Sequence, residues 1–231
     1  MAKENKNVHS GHRERMLNKY KRLGADAFES HELLEMLLYY CVPRINTNET
    51  AHQLIIDRSS LAKAIASTPE ELAKTKGVGP KSALLISLAR DVSRCAELEK
   101  LSATPLDSEF RRASYIFSWF KGKPRGVVMA MFLDEKQKLI ETATISAGRL
   151  FRPDVYPPII LDRALSLGAE YVILAHNHWD NCTEPSLEDL VLTGNIRTSL
   201  GAHKIGLIDH YIVTENNCIP TSATKKENND G

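Results

Sequence analysis

The sequence predicts an α+β protein with a helical N-terminal half and a mixed α/β C-terminal half. Helical spacing of apolar residues runs to about residue 93, and no strand-like block interrupts it. Beyond residue 108, short apolar blocks rich in β-branched residues alternate with helical patterns, in the order helix, two strands, helix, strand, helix, strand. We therefore expect a helical domain over 1–96, a linker over 97–107 that lacks apolar periodicity, an α/β domain over 108–220 and a disordered polar tail over 221–231.

The composition is that of an ordinary folded protein, with 231 residues of which 42% are hydrophobic and 26% charged. No apolar run approaches the roughly 18 residues of a membrane span. The polar N-terminus lacks the apolar segment of a signal peptide, so we expect the protein to be cytoplasmic. Four cysteines without C-x-x-C spacing indicate reduced thiols. Residues 1–22 hold seven lysines or arginines against two glutamates, so this arm either binds phosphates or is simply solvated.

The helical half contains one turn with a possible function. Thr68 followed by Pro69 and two glutamates is typical of a helix start, and Lys76-Gly77-Val78-Gly79-Pro80-Lys81 separates that short helix from a long one. Helix, Gly-Val-Gly turn and helix together resemble the helix-hairpin-helix module. In such a turn, glycines let backbone N–H groups approach a phosphate, and the next helix adds its positive dipole. The resemblance implies sequence-independent contact with DNA through Lys76, Gly77, Gly79 and Lys81. The alternative is a tight turn between two packed helices.

The C-terminal half is organised around a strand that ends in two histidines. Residues 171–174 (Tyr-Val-Ile-Leu) predict a strand buried on both faces, and its period of two places His176 and His178 on one face. After ten intervening residues, Asp189 lies in the first turn of a helix that Ser186 would cap. Each fragment alone also fits a structural capping box or a chance histidine pair. Together, two imidazoles and a carboxylate predict a catalytic Zn²⁺ site on His176, His178 and Asp189, with a fourth position left for water.

His-x-His followed by Ser-x-x-Asp resembles the JAMM motif of JAB/MPN-type metalloproteins. With Ile208-Asp209-His210 added, nearly the whole chain is similar to the bacterial RadC family. The resemblance implies a JAB/MPN fold, which is cytidine-deaminase-like, and a zinc-dependent hydrolase of the metallopeptidase or isopeptidase type with a historical link to DNA repair. It also implies that Ser186 donates to the oxyanion of a tetrahedral intermediate. His210 would hold Asp189 or an imidazole from behind, or else be a structural polar group.

The chain departs from the family at the general base. The family has a glutamate at the start of the first strand, seven residues before a Leu-Asp turn, and counting back from Leu133-Asp134 reaches Gly126. Loss of a general acid/base typically removes roughly two to four orders of magnitude in rate. Three carboxylates are candidate replacements: Glu141, Asp180 and Glu184.

Three functions remain open from the sequence. The first is a zinc-dependent hydrolase that cleaves a peptide or isopeptide bond. The second is a weakened relative that keeps zinc for stability and binds DNA through the hairpin, and the third is a metal-dependent nuclease. The metal loop also differs from the family, because Trp179-Asp180-Asn181 replaces Pro-Ser-Gly and Cys182 offers a sulfur that competes with Asp189. A zinc deaminase is disfavoured, because no H-x-E paired with P-C-x-x-C occurs.

Overall fold

The computed structural model describes residues 7–43, 45–147, 156–178 and 182–223. The chain divides into two compact units, unit 1 up to residue 93 and unit 2 from residue 94. Unit 1 is helical, and unit 2 is a five-stranded mixed sheet with helices on both faces, so the predicted α+β class is confirmed. Within the described ranges, no helix has the length and apolar character needed to cross a membrane.

Unit 1 forms around one apolar core to which successive helices contribute, including Leu34, Leu54, Leu72 and Ile86. At the starts of two of its short helices, the hydroxyls of Ser60 and Thr68 accept hydrogen bonds from backbone N–H groups that have no partner within the helix. Thr68 and Glu71 form a reciprocal capping box of this kind. The elements are α1 (Asn7–Leu23), a 3-10 turn (Ala25–Ala27), α2 (Ser30–Leu38), α3 (Asn48–Arg58), α4 (Leu61–Ala66), α5 (Pro69–Leu72) and the start of α6 (Pro80–Ser102).

Helix α6 corrects the predicted linker over 97–107, because it continues through Ser102. Leu98 and Leu101 pack against the core of unit 2. These tertiary contacts stabilise helical backbone in a stretch whose own sequence carries little apolar periodicity. Only residues 103–108 lie between this helix and the next one, which begins at Glu109.

Unit 2 is built on a sheet with strand order β2-β1-β3-β4-β5. Strand β1 is antiparallel to both β2 and β3, while β3 and β4 are parallel and joined through a helix. The predicted succession of helices and strands is present, and a short fifth strand follows it. The elements are α7 (Glu109–Phe120), β1 (Val127–Leu133), β2 (Leu139–Ala147), α8 (Tyr156–Leu167), β3 (Tyr171–Asn177), α9 (Leu187–Gly201), β4 (Gly206–Val213) and β5 (Cys218–Pro220).

The two faces of the sheet bury separate cores. Along β3, Val172 and Leu174 pack on the side of α8 and α9, whereas Ile173 and Ala175 pack on the side of α7. The predicted burial on both faces is therefore confirmed. The next residue on the α9 side is His176, so the alternation of the strand delivers this side chain to the start of α9.

Pro157 and Pro158 lie in the first turn of α8, where proline is tolerated because the first N–H groups have no helical partner. One predicted boundary of unit 2 is wrong. The polar tail does not begin at residue 221, because Thr221 and Ser222 donate hydrogen bonds to the carboxylate of Asp209. The remainder of the tail, 224–231, lies outside the described residues.

Candidate metal centre

The three predicted ligands meet at the end of β3. Nε2 of His176 lies 3.1 Å from Oδ1 of Asp189, and Nε2 of His178 lies 3.3 Å from Oδ2 of the same carboxylate. One potential ligand atom from each residue lies within 4.8 Å of the other two. Strand alternation brings the histidines onto one face, and the helix start brings the carboxylate to them.

Ser186 holds the Asp189 carboxylate in place. The backbone N–H and the hydroxyl of Ser186 donate to Oδ2 of Asp189 over 2.8 Å and 2.6 Å, and the hydroxyl accepts from the Asp189 N–H over 3.2 Å. This is a capping box with aspartate in the place of glutamate. The structural and the metal-binding interpretations are therefore compatible at Asp189, because the cap orients the carboxylate that faces the imidazoles.

The hydrogen bond at Nδ1 of His178 decides which of its ring nitrogens carries the proton. Its Nδ1 atom lies 2.7 Å from the backbone oxygen of Cys182, and a carbonyl oxygen only accepts, so Nδ1 carries the proton. In the neutral ring, Nε2 then presents a lone pair to the Asp189 carboxylate. Two electron-rich groups in contact repel unless a cation lies between them, so this donor set fits a bound metal ion.

The electrostatics of the cluster favour the protonation states that bind metal. Burial, against the opposing charge of Asp189, lowers the pKa of His176 to about 4. Burial alone would raise the pKa of Asp189, but the hydrogen bonds that its carboxylate accepts from Ser186 help to lower it below its usual value. At neutral pH the cluster therefore holds a neutral imidazole at His176 and an ionised carboxylate, as metal coordination requires.

His210 contacts the imidazole of His176 and not the carboxylate of Asp189. It is completely buried in β4, and its Nε2 atom is 2.8 Å from Nδ1 of His176. Its other nitrogen, Nδ1, is 2.7 Å from the hydroxyl of Thr193. The sequence did not single out Thr193, although a threonine four residues after Asp189 shares its helical face.

The missing glutamate leaves a glycine beside the site. Gly126 immediately precedes β1 with φ of 74°, two residues before Val128, which pairs with His176. Asn177, between the two histidines, fixes this strand start: its side-chain oxygen accepts from Val127 N–H over 2.7 Å and its amide donates to Pro124 O over 2.8 Å. The sequence analysis did not single out Asn177. Strand alternation places its side chain on the face opposite the two histidines, and this position could have indicated a separate role.

Glu141 is unsuited to replace the missing base. It is hydrogen-bonded to the guanidinium of Arg163 through both carboxylate oxygens. In the sheet it pairs with Phe132, whereas His176 pairs with Val128, four residues away along β1. Four residues of strand correspond to roughly 13 Å, beyond the reach of a general base.

The loop between β3 and α9 holds the other predicted candidates. Glu184 is exposed, and Trp179, Asp180 and Asn181 lie outside the described residues. Cys182 contributes its backbone oxygen to His178, and the compact ligand cluster in the described part of the chain consists of His176, His178 and Asp189.

The predicted DNA-binding hairpin lies in unit 1, between α5 and α6. Lys76 and Lys81 are exposed. Gly77 has φ of 89°, and a Cβ atom there would lie 2.5 Å from the hydroxyl oxygen of Thr50, so packing accounts for this glycine. At Gly79 an added Cβ would meet nothing within 4 Å. Contact of this turn with DNA stays a prediction.

Comparison with known proteins identifies relatives of this chain. Residues 107–228 match the family model described as RadC-like JAB domain. A UPF0758 protein of Burkholderia thailandensis is 33% identical over 205 residues, covering 88% of this chain and 77% of the relative. A UPF0758 protein of Fusobacterium nucleatum is 31% identical over 214 residues, covering 89% and 92%. One from Nitrosomonas europaea is 30% identical over 202 residues, covering 87% and 88%.

Proposed function

Since the chain belongs to the RadC family of JAB-domain proteins, we propose that it is a zinc-dependent hydrolase of the JAMM type that cleaves a peptide or isopeptide bond. The observation that carries the proposal is the convergence of two imidazole nitrogens on the two oxygens of the Asp189 carboxylate. Nitrogen and oxygen donors of this kind, three from the protein, are typical of catalytic zinc sites.

Each residue of the site has a distinct task in this proposal. His176, His178 and Asp189 hold the metal, which when bound lowers the pKa of a water molecule and polarises the carbonyl of the substrate. Ser186 orients Asp189 through two hydrogen bonds to its Oδ2 atom. Since the hydroxyl of Ser186 already donates its one proton to Asp189, it must turn towards the substrate to stabilise an oxyanion.

In the sequence, the remaining candidates for the general base of this hydrolase lie between His178 and α9. Peptide hydrolysis needs a group that takes a proton from water and passes it to the leaving amine. Gly126 has no side chain for this task, and Arg163 holds Glu141 away from the site. Asp180 and Glu184, which follow the second histidine in the chain, are the remaining predicted carboxylates.

The first test is the metal content of the purified protein by elemental mass spectrometry. We expect about one zinc per chain in the wild type, in keeping with one cluster of three ligands. His178→Ala and Asp189→Asn should lose it, and the exposed neighbour variant Glu188→Gln should retain it as the matched control. A wild type that stays metal-free when zinc is supplied would overturn the proposal.

A second candidate is a JAB-domain binding module that keeps zinc for stability and contacts DNA through the unit 1 hairpin. The observation that favours it is Gly126, because its φ of 74° disfavours any side chain at the position of the family's base. Incubating the zinc-loaded protein with a peptide library and with DNA separates the candidates. Cleaved peptides support the hydrolase, cleaved DNA supports a nuclease, and DNA binding without cleavage supports the module.

A further inference from the structure

We propose that Thr193 and His210 form a hydrogen-bond relay that fixes the tautomer of His176, so that its Nε2 atom faces Asp189 as a lone pair. This inference rests on the proposed metal site and assigns positioning residues to it. The relay consists of the Thr193 hydroxyl, the His210 imidazole and the His176 imidazole, joined by contacts of 2.7 Å and 2.8 Å.

The direction of the relay is set at Thr193, because a hydroxyl has one proton to donate. The Thr193 hydroxyl oxygen lies 2.6 Å from the backbone oxygen of Asp189, one turn earlier in α9. A carbonyl oxygen only accepts, so the proton of the hydroxyl lies between these two oxygens. Towards His210, therefore, Thr193 is the acceptor, and the Nδ1 atom of His210 carries the proton.

The relay then passes through His210 to the metal ligand. His210 is completely buried, and an imidazolium there would lose its hydration, so the ring is neutral and its Nε2 atom is a lone pair. That lone pair accepts from Nδ1 of His176 over 2.8 Å. The single proton of a neutral His176 is thereby placed on Nδ1, which leaves Nε2 as a lone pair 3.1 Å from Oδ1 of Asp189.

The relay matters because the other tautomer of His176 cannot bind a metal in this place. With the proton on Nε2, His176 would donate to the Asp189 carboxylate and close the position between them. His178 needs no such relay, since the backbone oxygen of Cys182 sets its tautomer directly. Side-chain substitution can therefore disturb the tautomer of His176 while leaving that of His178 intact.

Three variants test the relay. Thr193→Val keeps the shape of the side chain and removes the acceptor, Thr193→Ser keeps the hydroxyl, and Thr198→Val makes the same change at an exposed position of α9. Nitrogen-15 NMR of the histidine side chains in the metal-free protein should show protonated Nδ1 and unprotonated Nε2 at both His176 and His210. We expect this pattern in the wild type, Thr193→Ser and Thr198→Val, and a changed pattern in Thr193→Val.

Zinc affinity, measured by competition with a chelator, is the second readout. Thr193→Val should weaken zinc binding about 10- to 100-fold, as is typical when a group behind a ligand is removed. Thr193→Ser and Thr198→Val should bind as the wild type does. A wild type with the proton of His176 on Nε2, or a Thr193→Val variant with unchanged tautomers, overturns the relay.

These outcomes are distinguishable from failure of the proposed function. The NMR pattern of the metal-free wild type decides the relay even if no zinc binds and even if Thr193→Val does not fold. A wild type that binds no zinc overturns the hydrolase alone. Conversely, zinc binding with the opposite tautomer at His176 overturns the relay alone.

Discussion

Replacing Gly77 by alanine should destabilise unit 1 by roughly 2–5 kcal/mol. Its φ of 89° lies in the region that L-residues avoid, at a cost of about 1–2 kcal/mol. The new Cβ would also lie 2.5 Å from Oγ1 and 3.2 Å from Cγ2 of Thr50, and such overpacking costs about 1–3 kcal/mol. The two costs add because one is a backbone strain and the other a side-chain contact.

Two further variants separate these costs. Gly79→Ala is the matched control, because an added Cβ there meets nothing within 4 Å and the backbone has no positive φ. It should change the stability by less than about 1 kcal/mol. Thr50→Ala removes both clashing atoms, so in the double variant with Gly77→Ala only the backbone strain should remain.

Hydrogen exchange measured by mass spectrometry is the suitable assay, because it reports the opening free energy of each unit separately. Peptides from unit 1 should exchange faster in Gly77→Ala and as in the wild type in Gly79→Ala. Both tryptophans of the sequence fall within unit 2, so their fluorescence during urea unfolding reports on that unit. Unchanged exchange in Gly77→Ala, or equal effects of the two glycine variants, would refute the steric argument.

Three other predictions concern acidification, the missing base and the hairpin. Between pH 7 and pH 5, His176 by itself should contribute a loss of about 2 kcal/mol of stability in the metal-free protein, because its pKa is near 6.5 in the unfolded chain and about 4 in the folded chain. Urea unfolding should show a flatter pH dependence in His176→Asn, and an equal one would contradict the assignment. If the missing general base limits the rate, Gly126→Glu should raise peptide turnover by about two to four orders of magnitude. Gly126→Ala has the same backbone strain and no carboxylate, so it should not raise turnover. Equal rates in the two variants would mean that another step limits turnover. Exchanging Lys76 and Lys81 for glutamine should weaken DNA binding and reduce the slope of log affinity against log salt concentration by about 2. Fluorescence titrations that show no such change would mean that the hairpin serves packing alone.

Much of the candidate site could be predicted because its ligands are close in sequence. The strand period places His176 and His178 on one face, and the capping pattern from Ser186 to Asp189 places the carboxylate at a helix start. Both are local geometries that depend little on the rest of the fold. The order of helices and strands in unit 2 follows from local periodicity for the same reason.

The boundaries that were wrong are those where tertiary contacts override local preference. Helix α6 continues through Ser102 because Leu98 and Leu101 find partners in the core of unit 2. The tail is ordered at Thr221 and Ser222 because Asp209, twelve or more residues earlier, accepts their hydrogen bonds. Neither partner can be identified from the sequence of the segment itself.

The sequence by itself determined which three residues form the candidate metal site, the succession of elements and the absence of a carboxylate at Gly126. Only the tertiary structure shows that Arg163 binds Glu141, that Thr50 occupies the space beside Gly77, and that His210 contacts Nδ1 of His176. The reason is physical: residues joined by these contacts are 22, 27 and 34 positions apart in the chain. Strand order, register and packing bring such residues together, and no periodicity of a single segment encodes them.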